Sequence, residues 1–360
     1  MATIILVVLF VILANIFAYN PECENKSYCE CLKYNTSLSN IVNVHNKNVT
    51  FSINVKSWSN IQIECGDISW NAFYLRQIKN EGVLDLIVFK NCTLPEETRL
   101  QYFVRKLGIK ETNGLGFQSY RNLSNSLKKN HFLGFRFLNK LDLSHNGLTD
   151  ISSDLFSNLP NLEFLDLSEN SLVLRKDFFN ETLNLKQLDL NGNGITELAN
   201  DLFDNLQGLE ILNLERNLLK ELDDGNYPLI LNLTGNYLRE IPSLDYIKPL
   251  NLTHLLLSNN NISEISLDRL PKTIQVLELH NNNLLSMSYN VSEFLFQQNY
   301  KKLTLSGNQF ICGCDDRFIY VLVLQLQSIH EDLKNVKCQG YDTSLSSMTI
   351  DELCLFTDPS

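Results

Sequence analysis

The sequence predicts an α/β solenoid: short repeats wound into an arc, one parallel β-sheet on the concave face, and a disulfide-bonded cap module at each end. Three observations carry this reading. One template recurs eight times, nine cysteines are confined to the two ends of the chain, and the first residues form an uncharged apolar leader.

The template is apolar-x-x-Leu-x-Leu-x-x-Asn-x-apolar. It starts at Leu138, Leu162, Leu185, Leu209, Pro228, Leu252, Ile274 and Tyr300, at spacings of 24, 23, 24, 19, 24, 22 and 26 residues. This is the leucine-rich-repeat pattern. Leu-x-Leu alternates with period two, so it forms a short strand with leucines inward and x positions outward. The Asn falls where the chain leaves the strand. There its amide can satisfy buried backbone groups of neighbouring turns, each of which costs about 1–3 kcal/mol if left unpaired. The remaining residues return along the outer side, with Phe156, Phe178 and Phe203 buried there. A lone repeat cannot bury its leucines, so the array is one cooperative body.

Fainter turns are expected upstream at Trp58-Ile61-Ile63, Val83-Leu86-Val88-Asn91 and Thr112-Leu115-Phe117. The expected organisation is a signal peptide at 1–18, an N-terminal cap with irregular repeats at 19–137, eight regular repeats at 138–311 and a cysteine-rich C-terminal cap at 312–360.

Residues Thr3 to Ala14 form the apolar run of the leader, and Ala18 offers a small residue for cleavage. The run is short of the roughly 20 residues that span a bilayer. Ile319 to Leu326 reads as a buried cap element, so the expected localisation is secreted and extracellular. Cys23, Cys29, Cys31, Cys65 and Cys92 open the chain, and Cys312, Cys314, Cys338 and Cys354 close it. Behind a leader, such clusters read as disulfide frameworks where a solenoid exposes its core. The Cys-Gly-Cys spacing and the oxidising compartment argue against zinc.

Ten Asn-x-Ser/Thr sequons occur. Asn25, Asn35, Asn48, Asn122, Asn180, Asn232, Asn251, Asn261 and Asn290 are expected glycan acceptors. Asn91 is expected to be a ladder residue, too buried to accept one.

The net charge of −11 repels phosphate backbones, so nucleic acid is excluded as a partner. None of the six histidines sits in a nucleophile elbow, a His-Glu-x-x-His helix or another ligand set, and no Gly-rich phosphate loop follows a strand. No catalytic residue, metal or cofactor is expected. Asp142, Asp166 and Asp189 recur between the strand leucines and should form a row, able to bind calcium or a basic protein.

The outward strand positions of the first five repeats hold seven acids against three cations, net −4, and those of the last three are net +1. Phe164, Ile211, Leu229 and Ile230 are apolar at outward positions beside the acidic half. Such clusters rimmed by charge serve interfaces as anchors. Phe164, Asp166, Asp189, Ile211 and Glu215 are therefore the candidate ligand contacts.

Both ends carry a more specific signal. Cys23-x5-Cys29-x-Cys31, then Ile61-Gln-Ile-Glu-Cys65, Phe89-Lys-Asn-Cys92-Thr-Leu-Pro95 and Leu107-Gly-Ile109 resemble the opening of an insect Toll receptor ectodomain. Asn261-Ile-Ser-Glu-Ile265, Leu270-Pro271, Leu305-Ser-Gly-Asn308 and Cys312-Gly-Cys314…Cys338…Cys354 resemble that family's last repeats and C-terminal cap. The family's ectodomain is longer, with two repeat blocks, and continues into a membrane span and a signalling domain. Its N-terminal cap is similar to a six-cysteine unit, where this chain has five and Ile41-Val42-Asn43-Val44 occupies the region of the sixth.

The resemblance implies a protein ligand similar to a Spätzle-type cystine-knot cytokine. It also implies a role as soluble decoy or modulator of Toll signalling in innate immunity or development. An extracellular matrix or adhesion protein and an ectodomain fragment of a membrane receptor remain open readings. The resemblance further implies the pairs Cys312–Cys338, Cys314–Cys354, Cys23–Cys31 and Cys65–Cys92, leaving Cys29 unpaired and able to link a dimer. Five cysteines cannot all pair within one cap. Thiol labelling with peptide mapping should find Cys29 free or in an intermolecular bridge. Cys29 blocked in a monomer, alongside free Cys92, overturns this assignment.

Overall fold

A computed structural model describes residues 52–57, 59–64, 80–92, 94–95, 99–118, 123, 126–199, 201–222, 227–243, 252–314 and 317–354. The leader, Cys23, Cys29, Cys31 and Cys65, and the sequons at Asn25, Asn35, Asn48, Asn122 and Asn251 lie outside the described residues.

The described chain opens on a hairpin, β1 (Ser52–Ser57) running antiparallel to β2 (Asn60–Glu64). Next come β3 (Asn80–Leu84), β4 (Leu86–Lys90), helix α1 (Leu100–Lys106), β5 (Ile109–Thr112) and β6 (Gly114–Gln118). Eight three-residue strands follow: β7 (Lys140–Asp142), β8 (Phe164–Asp166), β9 (Gln187–Asp189), β10 (Ile211–Asn213), β11 (Ile230–Asn232), β12 (His254–Leu256), β13 (Val276–Glu278) and β14 (Lys302–Thr304). Between the last two strands lies α2 (Tyr289–Gln297), and beyond them α3 (Arg317–Leu326) and α4 (Ile350–Cys354). Among the described residues, one sheet runs β1-β2-β4-β6 and then β7 through β14 in order, while β3 and β5 form a second sheet of two strands. Every pairing from β2 onward is parallel.

Period-two alternation explains the strands. Leu141, Leu165, Leu188 and Leu212 pair in register across β7 to β10 and are buried. Leu143, Leu167, Leu190 and Leu214, two residues on, form a second buried row. On the outer side Phe156, Phe178 and Phe203 are buried, with Phe179 bridging the last two at centroid distances of 4.9 and 5.9 Å.

The ladder asparagines satisfy the backbone of two turns at once. Asn170 Oδ1 accepts the N–H groups of Asn146 and Leu148, each at 3.0 Å. Its Nδ2 donates to Leu143 O at 3.0 Å and Leu167 O at 2.9 Å. The arrangement repeats through to Asn308, whose Oδ1 accepts from Leu284 N and whose Nδ2 donates to Leu279 O.

The turn at 83–91 corrects the sequence reading. Val83 is 51% exposed and Asn91 is exposed, whereas Leu84, Ile87, Phe89 and Cys92 are buried. The register is one residue later than expected, and a one-residue slip moves every side chain of a strand to the other face. Asn91 has φ 50°, like His145, Glu169 and Arg216, the residues just before ladder asparagines. Its N–H donates to Gln118 O at 3.0 Å, as that of His145 does to Ser168 O. Cys92, not Asn91, therefore occupies the ladder position. It is disulfide-bonded, and its partner lies outside the described residues.

At the other end a carboxylate replaces the missing next strand. Just after β13, the N–H of Leu279 finds Thr304 O at 3.0 Å on β14. The equivalent Leu305 N–H, and that of Ser306, donate to Asp332 Oδ2 at 2.6 and 2.9 Å. Helix α3 buries Ile319, Leu322, Val323 and Leu326, and the cap is closed by Cys312–Cys338 and Cys314–Cys354.

Replacing Asn170 by alanine strands at least four buried backbone partners. The expected loss is about 3 kcal/mol or more in urea unfolding. Asn184→Ala, which removes one exposed bond to Pro160 O, should cost less than about 1 kcal/mol.

Candidate functional site

The outward strand positions form two rows along the sheet. In the row after the inward leucine, Asp142, Asp166 and Asp189 stand side by side in register, followed by Asn213 and Asn232. Each side chain is pinned by its own turn. Asp142, Asp166 and Asp189 accept at Oδ1 the N–H of the residue two on, all at 2.9 Å. Asn213 and Asn232 do the same at 3.1 and 3.0 Å. A carboxylate held this way cannot rotate away from its neighbours.

Burial, then the charge of Asp166, raises the pKa of Asp142 from the ordinary carboxylate value. The same two causes, in the same order, push Asp189 up to about 6. Among the described residues none of the three has a cation within ion-pair distance. Two other acids of this half are paired: Glu163 with Lys186 at 2.9 Å and Glu169 with Arg216 at 3.1 Å. Glu215 accepts from Asn232 Nδ2 at 3.0 Å. Among the described residues no group of three or more His, Cys, Asp or Glu side chains could hold a metal ion.

The row before the leucine runs Lys140, Phe164, Gln187, Ile211, Ile230, His254. Phe164 and Ile211 are half-buried and separated by Gln187, so they do not touch across the face. Phe164 instead lies under Lys140, whose Nζ is 5.3 Å from the ring centroid, a cation–π contact that strand alternation alone does not reveal. Ile211 continues into Ile230, with Leu229 at the edge 39% exposed. Phe164, Asp166, Asp189, Ile211 and Glu215 thus share one face over three adjacent strands, as two apolar points flanking a carboxylate row.

The neighbouring strands contribute features the sequence reading passed over. On β6 the outward residues are Gly114 and Gly116, and a Cβ at Gly114 would lie 2.6 Å from Asp85 O. Close approach of the preceding turn requires glycine there. On β12, His254 Nδ1 is 2.7 Å from Thr253 Oγ1, whose hydroxyl donates to Leu229 O. The ring therefore carries its proton on Nδ1. Burial, then Lys301, lowers its pKa, keeping it neutral.

Asn232 corrects the expectation of an open glycan acceptor. It is 3% exposed, with Nδ2 donated to Glu215 and Oδ1 engaged by Thr234 N. Once folded, its amide is not available for modification. Asn180, Asn261 and Asn290 are exposed.

The leucine-rich-repeat family signature matches residues 121–172 and 173–226, and a single-repeat form matches 251–272. Those segments carry leucine-rich repeats, and the fold they build is that of a leucine-rich-repeat solenoid. The chain is also similar to a chain of the Drosophila Toll - Spatzle complex, at 21% identity and TM-score 0.40, over 76% of this chain and 47% of that one. The glycosylated form of that complex matches at 18% identity and TM-score 0.37, over 74% of this solenoid and 49% of that chain. A chain of the octameric complex of Latrophilin 3, Unc5D and FLRT2 matches at 18% identity and TM-score 0.49, over 81% and 95%. These are likenesses of fold, and the solenoid spans about half the length of the Toll-complex chains it matches. No curated protein matches the sequence.

The pinned row makes a pH prediction. Asp189 has a raised folded pKa, so the native state holds its proton more tightly than the unfolded state does. Its contribution to stability is full below the ordinary carboxylate value and is lost as pH rises through about 6. Asp166→Asn keeps the bond from Ser168 N and removes the charge between the other two. Urea unfolding should show this variant more stable than wild type at pH 7, with a smaller stability gain from Asp189 on acidification from pH 7 to 4. An unchanged pH profile would mean the row is not electrostatically coupled.

Proposed function

We propose that the solenoid is a secreted binding protein whose concave face over β8 to β10 docks a protein ligand. The observation that carries this is the in-register row Asp142, Asp166 and Asp189, fixed in place, with no ion pair among the described residues and flanked by half-buried Phe164 and Ile211. A basic partner would supply the missing cations, with Phe164 and Ile211 as its apolar anchors. The disulfide-closed cap supports the secretory route, since such bonds persist in oxidising compartments. No helix of the described residues is long and apolar enough to cross a membrane.

Repeat solenoids of this kind present extended concave surfaces to protein partners. The resemblance at both ends to insect Toll ectodomains supports a Spätzle-type cystine-knot cytokine as ligand, with a soluble decoy or modulator as the role. A bridge through Cys29 would make the binder bivalent.

Surface plasmon resonance against such a cytokine, at two ionic strengths, tests the proposal. Asp166→Asn with Asp189→Asn should slow association and flatten its salt dependence, because rim charges act chiefly on encounter. Phe164→Ala should speed dissociation, by the equivalent of about 2 kcal/mol if it is a hot spot. Unchanged kinetics in both variants place the contact elsewhere. No binding by well-folded wild type favours a matrix or adhesion role.

A further inference from the structure

The flank where each turn leaves the sheet carries a second ladder. The N–H of Leu218 donates to Ile195 O, that of Tyr237 to Leu219 O and that of Asn261 to Leu238 O, each at 2.8 Å. Leu218, Tyr237 and Asn261 therefore stand on successive turns at one position of the repeat, directly after ladder residues Asn217, Asn236 and Asn260. Leu218 is 42% and Tyr237 49% exposed. The equivalent positions on either side are Gly194 and Asn283. The two exposed apolar side chains thus stand at the same position on adjacent turns, with Asn261 at that position on the next.

Asn261-Ile262-Ser263 is a sequon, and its presentation differs from that of Asn232. Asn261 and Ser263 are both exposed, and the Asn261 side-chain amide makes no hydrogen bond among the described residues. Neighbouring strands of a sheet lie about 4.8 Å apart, less than the width of a sugar ring. A sugar on Asn261 leaning toward the preceding turn meets the exposed side of Tyr237. An aromatic ring presents an apolar body there while its hydroxyl stays wet. The apolar C–H face of a pyranose fits that surface.

We infer that Asn261 carries an N-linked glycan whose first sugars lie back over Tyr237 and Leu218. This flank is then a carbohydrate-covered face, and ligand contact is confined to the concave face and the remaining surfaces. The inference rests on the secretory reading above. It assigns the apolar pair an occupant, since bare exposed apolar surface promotes association.

The test uses the full chain expressed in insect cells, as wild type, Asn261→Gln, Ser263→Ala and the double variant Ser263→Ala with Tyr237→Ser. Ser263→Ala removes the sequon and leaves Asn261 in place, so the test stays readable if Asn261→Gln is not secreted. Glycopeptide mapping should find Asn261 occupied. Loss of the glycan should raise 8-anilinonaphthalene sulfonate fluorescence and shift light scattering from monomer toward oligomer, and Tyr237→Ser should reverse both. Asn261 unoccupied while Asn180 or Asn290 carries a glycan overturns the inference and leaves the secretory reading intact. No glycan at any sequon overturns both. An occupied Asn261 whose removal changes neither dye binding nor mass shows that the sugars do not cover the pair.

Discussion

The whole arc depends on satisfying backbone groups that the strand leucines drag into the interior. Burying Leu-x-Leu brings the chain out of each strand through a turn with no solvent and no sheet partner. An unpaired buried N–H or C=O there costs as much as the burial of a methylene or two contributes. The asparagine amide supplies two donors and an acceptor at the end of a short side chain. Asn217 illustrates the consequence: its Oδ1 takes the N–H groups of Asn193 and Ile195 on the preceding turn, and its Nδ2 returns to Leu190 O and Leu214 O. One residue therefore sets the stacking distance of two turns, and with it the alignment of every outward side chain on the concave face.

The ends of the array obey the same requirement with different chemistry. At the N-terminal side Cys92 stands where the asparagine would be, buried and disulfide-bonded, so a covalent bond replaces amide hydrogen bonds. At the C-terminal side Asp332 reaches from the cap to the N–H groups of Leu305 and Ser306. A carboxylate suits that place because one acceptor oxygen takes both of these N–H groups at once. The solenoid is thus closed by substituting for the ladder rather than by abandoning it.

That logic also explains which parts were legible in the sequence. The regular repeats announce their period, their inward leucines and their asparagines, and the register of β7 to β14 follows. The segment Val83-Leu-Asp-Leu-Ile-Val-Phe89 is apolar at almost every position, so both strand registers look equally good. A sequon asparagine at 91 beside a cysteine at 92 favoured the wrong one. The decisive signal was the cysteine. The candidate contacts were legible as a face, because alternation places Phe164, Asp166, Asp189, Ile211 and Glu215 outward. Their partners were not: Lys140 over Phe164, Asn232 donating to Glu215 and Gln187 between the two anchors depend on cross-strand geometry.

The aspartate row separates what the fold needs from what it does not. Every residue of that row from Asp142 to Asn232 accepts the same N–H two positions on, and asparagine does so as well as aspartate, as Asn213 and Asn232 show. The turn therefore asks for a side-chain oxygen and not for a charge. Three adjacent carboxylates nevertheless stand on β7, β8 and β9, where burial and mutual repulsion raise the pKa of Asp142 and Asp189. At neutral pH that arrangement costs stability which asparagine at the same positions would spare. Local departures from the most stable choice concentrate at functional sites. The surplus charge sits beside Phe164 and Ile211, and it is the physical reason behind the contact proposed there.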